Sequence, residues 1–308
     1  MKGTLRTLLV ISALMAGYLA RGQHTPLTSQ YLFNGLLINP AYAGSRDAFT
    51  ANLTWRQQWV GFDGAPSTQL MSVHSPIKYT RAAVGVLLLN DQIGVSRETG
   101  FLTNYAYRIP VRKGKLQLGL GAGFTVLQAD WSRVELQNRS DLQFANDSRG
   151  VLKPNFSAGA YFYKKNYFVG ASVPFVMTHR YDVRTKEWAI FSDRSQYQPM
   201  ITGGYLWKLN RHMKLKPSTL LRYRMAGGLQ ADVNANLIIN DRIWTGLSYR
   251  NRDAIIGSFE VLPSPQWRLG YAYDMGLSRL TPYHQGTHEL MVQYEFGKKI
   301  HVRDPRYF

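Results

Sequence analysis

The sequence predicts an all-β fold: a transmembrane, antiparallel, up-and-down β-barrel of 14 strands with both termini on the periplasmic side. Three observations lead there. Apolar and polar residues alternate strictly along many segments, which gives each strand two unlike faces. Most of these runs are about 9 to 11 residues or slightly longer, the span a tilted strand needs to cross a bilayer, whereas strands of soluble domains average about 5 to 6. Long and short connections also follow the parity of the strand count.

At the N-terminus, Lys2 and Arg6 precede an apolar stretch from Leu8 to Ala20, and Ala20-Arg21-Gly22 supplies small residues at a cleavage site. Residues 1–22 are therefore expected to be a cleaved signal peptide. The apolar stretch is shorter than the ~20 residues of a spanning helix, which argues against a membrane anchor. Residues 23–47 are punctuated by Gly, Pro and Asn and read as neither strand nor helix. This segment is long enough either to fold into the lumen as a plug or to grip a periplasmic partner.

Residues 48–297 form the expected barrel, with strands near 48–58, 67–76, 82–91, 98–110, 115–128, 154–163, 167–175, 197–208, 213–222, 229–239, 242–250, 254–261, 266–275 and 287–297. Leu229, Ala231, Val233, Ala235 and Leu237, interleaved with Gln230, Asp232, Asn234 and Asn236, show the pattern most clearly. The longest apolar run after the signal peptide, Ala82 to Leu89, is too short for a membrane helix. Long connections at 129–153, 176–196 and 276–286 all follow odd-numbered strands, and those after even strands are short. In bacterial outer-membrane barrels the short turns are periplasmic and the longer loops extracellular, which fixes the expected orientation. Residues 298–308 are then a periplasmic tail.

The face carrying Leu, Val, Tyr and Trp should meet lipid, with Tyr105, Tyr107, Trp207, Tyr249, Trp267 and Tyr273 among its aromatics. The other face should line the lumen and brings inward Arg56, Arg108, Arg250, Arg268, Asp232, Asp274 and Glu289, with Glu260 and Glu295. Two readings of these charges stand: a salt-bridged lumen wall, or a filter for anions.

The chain has 37 Lys and Arg against 19 Asp and Glu, a formal charge of +18, and no cysteine. Without cysteine there is no disulfide framework, thiolate metal site, catalytic thiol or lipidated N-terminal cysteine. Export makes nucleic acid an unsuitable partner despite the charge. The positive charges are expected to spread over lumen, turns and loops. Arg133, Arg139, Arg149, Arg180, Arg184 and Lys186 fall in the two longest outer loops, facing membrane lipid and lipopolysaccharide. His284 and His288 are four apart, a spacing that groups ligands on a helix but not on a loop entering a strand. No metal, cofactor or catalytic site is expected.

Two strings have a more specific character. Asn39-Pro40-Ala41-Tyr42-Ala43-Gly44 lies in the lead-in, and Trp59-Val60-Gly61-Phe62-Asp63-Gly64-Ala65-Pro66 follows the first strand. With Asn90-Asp91-Gln92-Ile93-Gly94, Asn104-Tyr105-Ala106-Tyr107-Arg108 and the tail Pro305-Arg306-Tyr307-Phe308, they resemble the PorP/SprF family, outer-membrane proteins of the type IX secretion system of Bacteroidetes. The resemblance implies an outer-membrane barrel without enzymatic activity, one that supports export or surface attachment of adhesin-like cargo, in some members linked to gliding motility. It implies type IX secretion components and the C-terminal domain of a secreted protein as partners. Asn39, Pro40, Ala41, Tyr42, Ala43, Gly44, Trp59, Gly61, Phe62, Gly64 and Pro66 are then candidate partner-binding or family-motif residues. A general or anion-preferring porin is the alternative.

Overall fold

The computed structural model describes residues 28–112, 114–133, 148–174, 178–182, 187–191, 197–224, 228–278 and 280–296. The expected signal peptide, the tail 298–308 and much of the two longest loops, including Arg139 and Arg184, lie outside the described residues.

Every strand pairs antiparallel to its neighbours. In chain order they are β1 Phe49–Gln57, β2 Ser67–Pro76, β3 Ala82–Ile93, β4 Ser96–Val111, β5 Gly114–Ala129, β6 Ser148–Lys164 and β7 Tyr167–Val173. A hairpin follows, β8 Thr178–Asp182 with β9 Glu187–Phe191, which pairs only with itself. The ring resumes with β10 Met200–Tyr205 and β11 Trp207–Lys208, one barrel strand interrupted at Leu206. It continues through β12 Met213–Arg224, β13 Gly228–Ile239, β14 Ile243–Arg250, β15 Ala254–Val261, β16 Trp267–Gly276 and β17 Thr287–Phe296. β10 bridges β7 and β12, and β1 pairs β17 from Phe49↔Phe296 to Gln57↔His288, so the 14-stranded sheet closes on itself. Closure pairs the first strand with the last, so the ring satisfies its backbone internally as a bilayer core requires.

Two elements differ from the sequence reading. The stretch 176–196, expected as loop, contains the β8–β9 hairpin. β6 begins six residues earlier than expected and passes through Pro154. β7 pairs only with Ala158 to Lys164, so the earlier half of β6 has β5 on one side and no ladder partner on the other. A proline, which cannot donate to a ladder, is tolerated there.

One end of the barrel carries the turns after β2, β4, β6, β11, β13 and β15, with the start of β1 and the finish of β17; this is the short-turn end. The long-loop end holds the connections after β1, β5, β7 and β16. Outward positions include Leu53, Leu120, Val233, Leu247 and Leu290, all exposed. Between the strand tips the described outward positions carry no Lys, Arg, Asp or Glu, as a lipid-facing surface requires.

The interior is not an aqueous channel. Residues 28–47 lie inside the ring and fill it, making two short 3-10 turns at Gly35–Leu37 and Pro40–Tyr42. Their apolar side chains meet inward residues of the wall. Tyr31, Leu37 and Ile38 pack with Leu70, Leu87, Leu89, Leu102, Met200 and Leu220, and Phe33, Leu36 and Tyr42 pack with Tyr161, Phe168, Trp244 and Met291. Burying each large side chain of this kind contributes roughly 1.5–3 kcal/mol. This packing explains why Ala82 to Leu89 is apolar on both faces: Val84 and Leu88 point to lipid, while Leu87 and Leu89 meet the segment.

Candidate functional site

The segment crosses the lumen from the long-loop end to the short-turn end, and a separate set of contacts holds each level. At the long-loop end, Glu289 near the start of β17 accepts the backbone N–H of Ser29 at 2.7 Å and of Gln30 at 2.8 Å. Arg56 near the end of β1 pairs with Glu289 at 3.0 Å and with Asp274 at 2.7 Å, and donates to the Ser29 hydroxyl at 2.9 Å. That hydroxyl in turn donates to Asp274 at 2.7 Å. Arg250 extends the network to Asp232 at 3.1 Å and Asp253 at 3.3 Å, and Arg222 lies 3.6 Å from Asp232. Opposite charges enclosed together compensate each other's desolvation, which isolated buried ions could not tolerate.

One level down, the Tyr31 hydroxyl accepts from Asn234 at 2.7 Å. Asn34 accepts from the Ser72 hydroxyl at 2.8 Å. Phe33 sits under the Arg268 guanidinium, whose carbon is 4.8 Å from its ring centroid and 4.5 Å from that of Trp244. Arg268 pairs with Glu260 at 2.9 Å, and the Lys216 ammonium lies 5.5 Å from the Trp244 and Phe168 rings. Cations over aromatic faces in a dry site are worth about 2 kcal/mol or more.

The motif Asn39 to Gly44 packs on the opposite wall. The Asn39 side chain accepts from Ala41 N at 2.9 Å, capping the turn Pro40–Tyr42, and donates to Ala160 O at 2.9 Å. Inward glycines make room for this backbone: a Cβ at Gly119 would overlap the Ala41 main chain, and one at Gly159 would overlap the Asn39 amide. Tyr42 meets the rings of Tyr161 and His74 edge-on. Gly44, at φ +69°, donates its N–H to His74 Nδ1 at 3.1 Å, and its carbonyl accepts from Arg108 at 2.8 Å. Gly44 is also pressed against Ala83, so its left-handed backbone and lack of a Cβ are both used. Below it, Arg46 pairs with Glu295 at 2.9 Å and Asp47 with Arg108 at 2.6 Å.

The six motif residues 39–44 are therefore buried against the barrel's own wall, where a partner touches them only if the segment leaves. The second string is elsewhere. Trp59, Gly61, Phe62 and Gly64 occupy the β1–β2 loop at the long-loop end, with Pro66 buried at its base. Val60 donates its N–H to the Gly286 carbonyl at 2.9 Å, and its own carbonyl accepts from the Gln285 N–H at 2.8 Å. The Trp59 ring lies 6.1 Å from His284 and 6.4 Å from Phe62, which is 45% exposed.

Of the inward charges named from the sequence, Arg56, Asp274, Glu289, Arg250 and Asp232 converge in one network. Arg268 stands apart at mid-lumen, and Arg108 lies near the short-turn end. The sequence reading gave no role to Ser29, Arg46, Lys216 or Trp244 and left residues 23–47 open between a lumen plug and a grip on a partner; the doubled apolar character of β3 is a further signal of an occupied interior. The start of β1 and the finish of β17 share an end, but the described chain begins with Thr28 at the other, because the segment runs the height of the lumen.

Among solved structures, the chain is similar to the CymD monoaromatic hydrocarbon channel, with a TM-score of 0.51, 11% identity, and coverage of 90% of this chain and 95% of that one. It is also similar to the outer membrane protein Omp33 of Acinetobacter baumannii, with a TM-score of 0.47, 9% identity, and coverage of 82% and 100%. At such identity the likeness to CymD shows a shared barrel fold alone. Comparison with curated proteins finds no match. The family described as type IX secretion system membrane protein PorP/SprF matches residues 20–294.

Proposed function

This chain belongs to the PorP/SprF family of type IX secretion system membrane proteins, and from that premise we propose that it serves secretion as a plugged barrel that binds exported partner proteins. It is an outer-membrane protein, and its barrel is the membrane anchor. The observation that carries the proposal is the occupied lumen. Residues 28–47 are tied by hydrogen bonds of Ser29 and Gln30 to a buried ion-pair network at one end and by ion pairs of Arg46 and Asp47 at the other, with aromatic side chains packed between, an arrangement suited to a rigid platform and opposed to diffusive flow of solutes. The inward charges are then anchors for the segment, and Asn39 to Gly44 is the part of the segment shaped to the wall.

Partner contact is assigned to the long-loop end, which the turn-length rule directs to the cell exterior. Phe62, Leu280 and Tyr283 are exposed there at 45%, 41% and 68%, and exposed aromatic residues on tied loops suit protein recognition. The proposed partner is the C-terminal domain of an exported, adhesin-like protein, with other type IX components approaching from the periplasmic side.

Deletion of the gene tests this against the porin alternative. Loss of particular proteins from the cell surface, with unchanged uptake of small solutes, is the expected result. An unchanged surface proteome with reduced uptake would overturn it.

A further inference from the structure

Among the described residues, exposed positive charge is not spread evenly over the two ends of the barrel. Successive short turns are basic: Lys78 and Arg81 after β2, Arg112 after β4, Lys165 after β6, Lys208 and Arg211 around the β11–β12 turn, and Arg242 after β13. All seven side chains are exposed, and none makes an ion pair among the described residues. The exposed carboxylates of that end are engaged already, Asp47 by Arg108 and Lys115, and Asp241 by Lys214. At the long-loop end, among the residues whose exposure is described, Asp63 and Asp130 stand against Arg97 and Arg252. Among the described residues, the exposed excess therefore gathers at one rim.

Directly inside this rim the outward face carries an aromatic band, with Trp207, Trp267, Phe296, Phe49 and Tyr107 exposed by 42–52%. The Lys164 ammonium lies 5.7 Å over the Tyr167 ring at the same level. Aromatic side chains of this kind sit at the headgroup level of a bilayer. Cations one or two residues beyond them stand among phosphates.

We propose that the short-turn rim is a collar that binds anionic phospholipid headgroups of the facing leaflet. An acidic protein is the competing occupant, but a protein covers one sector, whereas these cations come from five turns spread around the ring. Lipid is also the one ligand that meets the aromatic band and the charges together. The choice of phospholipid over the phosphates of lipid A rests on the orientation that puts the short turns in the periplasm.

The test uses the full chain, refolded in detergent, with native mass spectrometry of retained lipid as phosphatidylglycerol, phosphatidylethanolamine or lipid A is added. Wild type is expected to retain phosphatidylglycerol over phosphatidylethanolamine, with the preference weakened by salt. The variant Lys78→Gln/Arg81→Gln/Lys165→Gln/Arg211→Gln should lose about tenfold or more of that preference, while Arg97→Gln/Arg252→Gln keeps it. Should the fourfold variant fail to refold, the salt dependence in wild type still decides. Equal retention of the two phospholipids, or an undiminished preference in a folded fourfold variant, would overturn the collar. Preferred retention of lipid A would also overturn it by reversing the facing leaflet, and epitope accessibility on intact cells reads that orientation separately. Loss of a co-purifying acidic protein from native membranes, with lipid preference unchanged, would assign the rim to that protein instead.

Discussion

Arg56 and Glu289 face each other across the β1–β17 seam, 3.0 Å apart, and Glu289 also accepts the N–H groups of Ser29 and Gln30. One carboxylate thus joins the first strand to the last and holds the segment that fills the ring. Glu289→Ala leaves Arg56 short of a partner and two backbone donors without their acceptor. Such losses in a buried network cost about 3–5 kcal/mol. We expect lower resistance to denaturant in detergent and a rise in ion conductance across planar bilayers as the upper part of the segment comes free. Glu289→Gln keeps an acceptor and should show a smaller change in both.

Gly119 offers a complementary perturbation, because it alters the wall without touching a charge. A Cβ there would overlap the Ala41 backbone, while the outward neighbours Leu118 and Leu120 stay as they are. Gly119→Ala should therefore leave the barrel able to assemble, visible as a heat-sensitive gel shift, but displace the middle of the segment. Protease cleavage within residues 28–47 is expected in the variant and not in the wild type. An assembled barrel with an equally protected segment would contradict the close approach.

The contrast between these two sites marks what the sequence discloses. Alternation located the strands and the outward face because lipid imposes one simple rule on every second residue. The interior obeys no such rule once a segment of the same chain fills it: Leu70, Leu87, Leu102, Leu220 and Trp244 point inward because Tyr31, Phe33 and Leu37 are there to meet them. Composition also concealed the basic rim. Lys78, Arg112, Lys165 and Arg242 are far apart in sequence, and they come together only because alternate turns of an up-and-down barrel return to one end.

At mid-lumen Phe33 is the side chain that Arg268, Trp244 and Lys216 surround. Phe33→Ala removes the ring and leaves a cavity among cations that remain enclosed. Core Phe truncations cost about 3–5 kcal/mol, and a loss of that size is expected in urea unfolding of the refolded protein. Phe33→Leu restores apolar volume but not the aromatic face, so its loss should be smaller; the loss that remains reports the cation–π share, and the difference between the two variants reports packing volume. A Phe33→Leu variant as stable as the wild type would mean that packing volume alone matters.

The β1–β2 loop separates anchoring from recognition. Trp59, at φ +47°, is held by contacts to His284 and Phe62 and flanks the backbone bonds that join the loop to residues 285–286. Phe62, beside it, is exposed and meets the Trp59 ring edge-on. Substituting an exposed aromatic away from such ties changes stability by about 0.5 kcal/mol or less, so Phe62→Ala should fold and insert as the wild type does. If this loop receives the exported partner, the same variant should lower the amount of that protein on the cell surface and its co-purification with the barrel. Trp59→Ala should do both and also loosen the loop, seen as faster proteolysis between residues 58 and 66. Normal surface display in Phe62→Ala cells would move partner recognition away from this loop and towards the longer connections after β5 and β7.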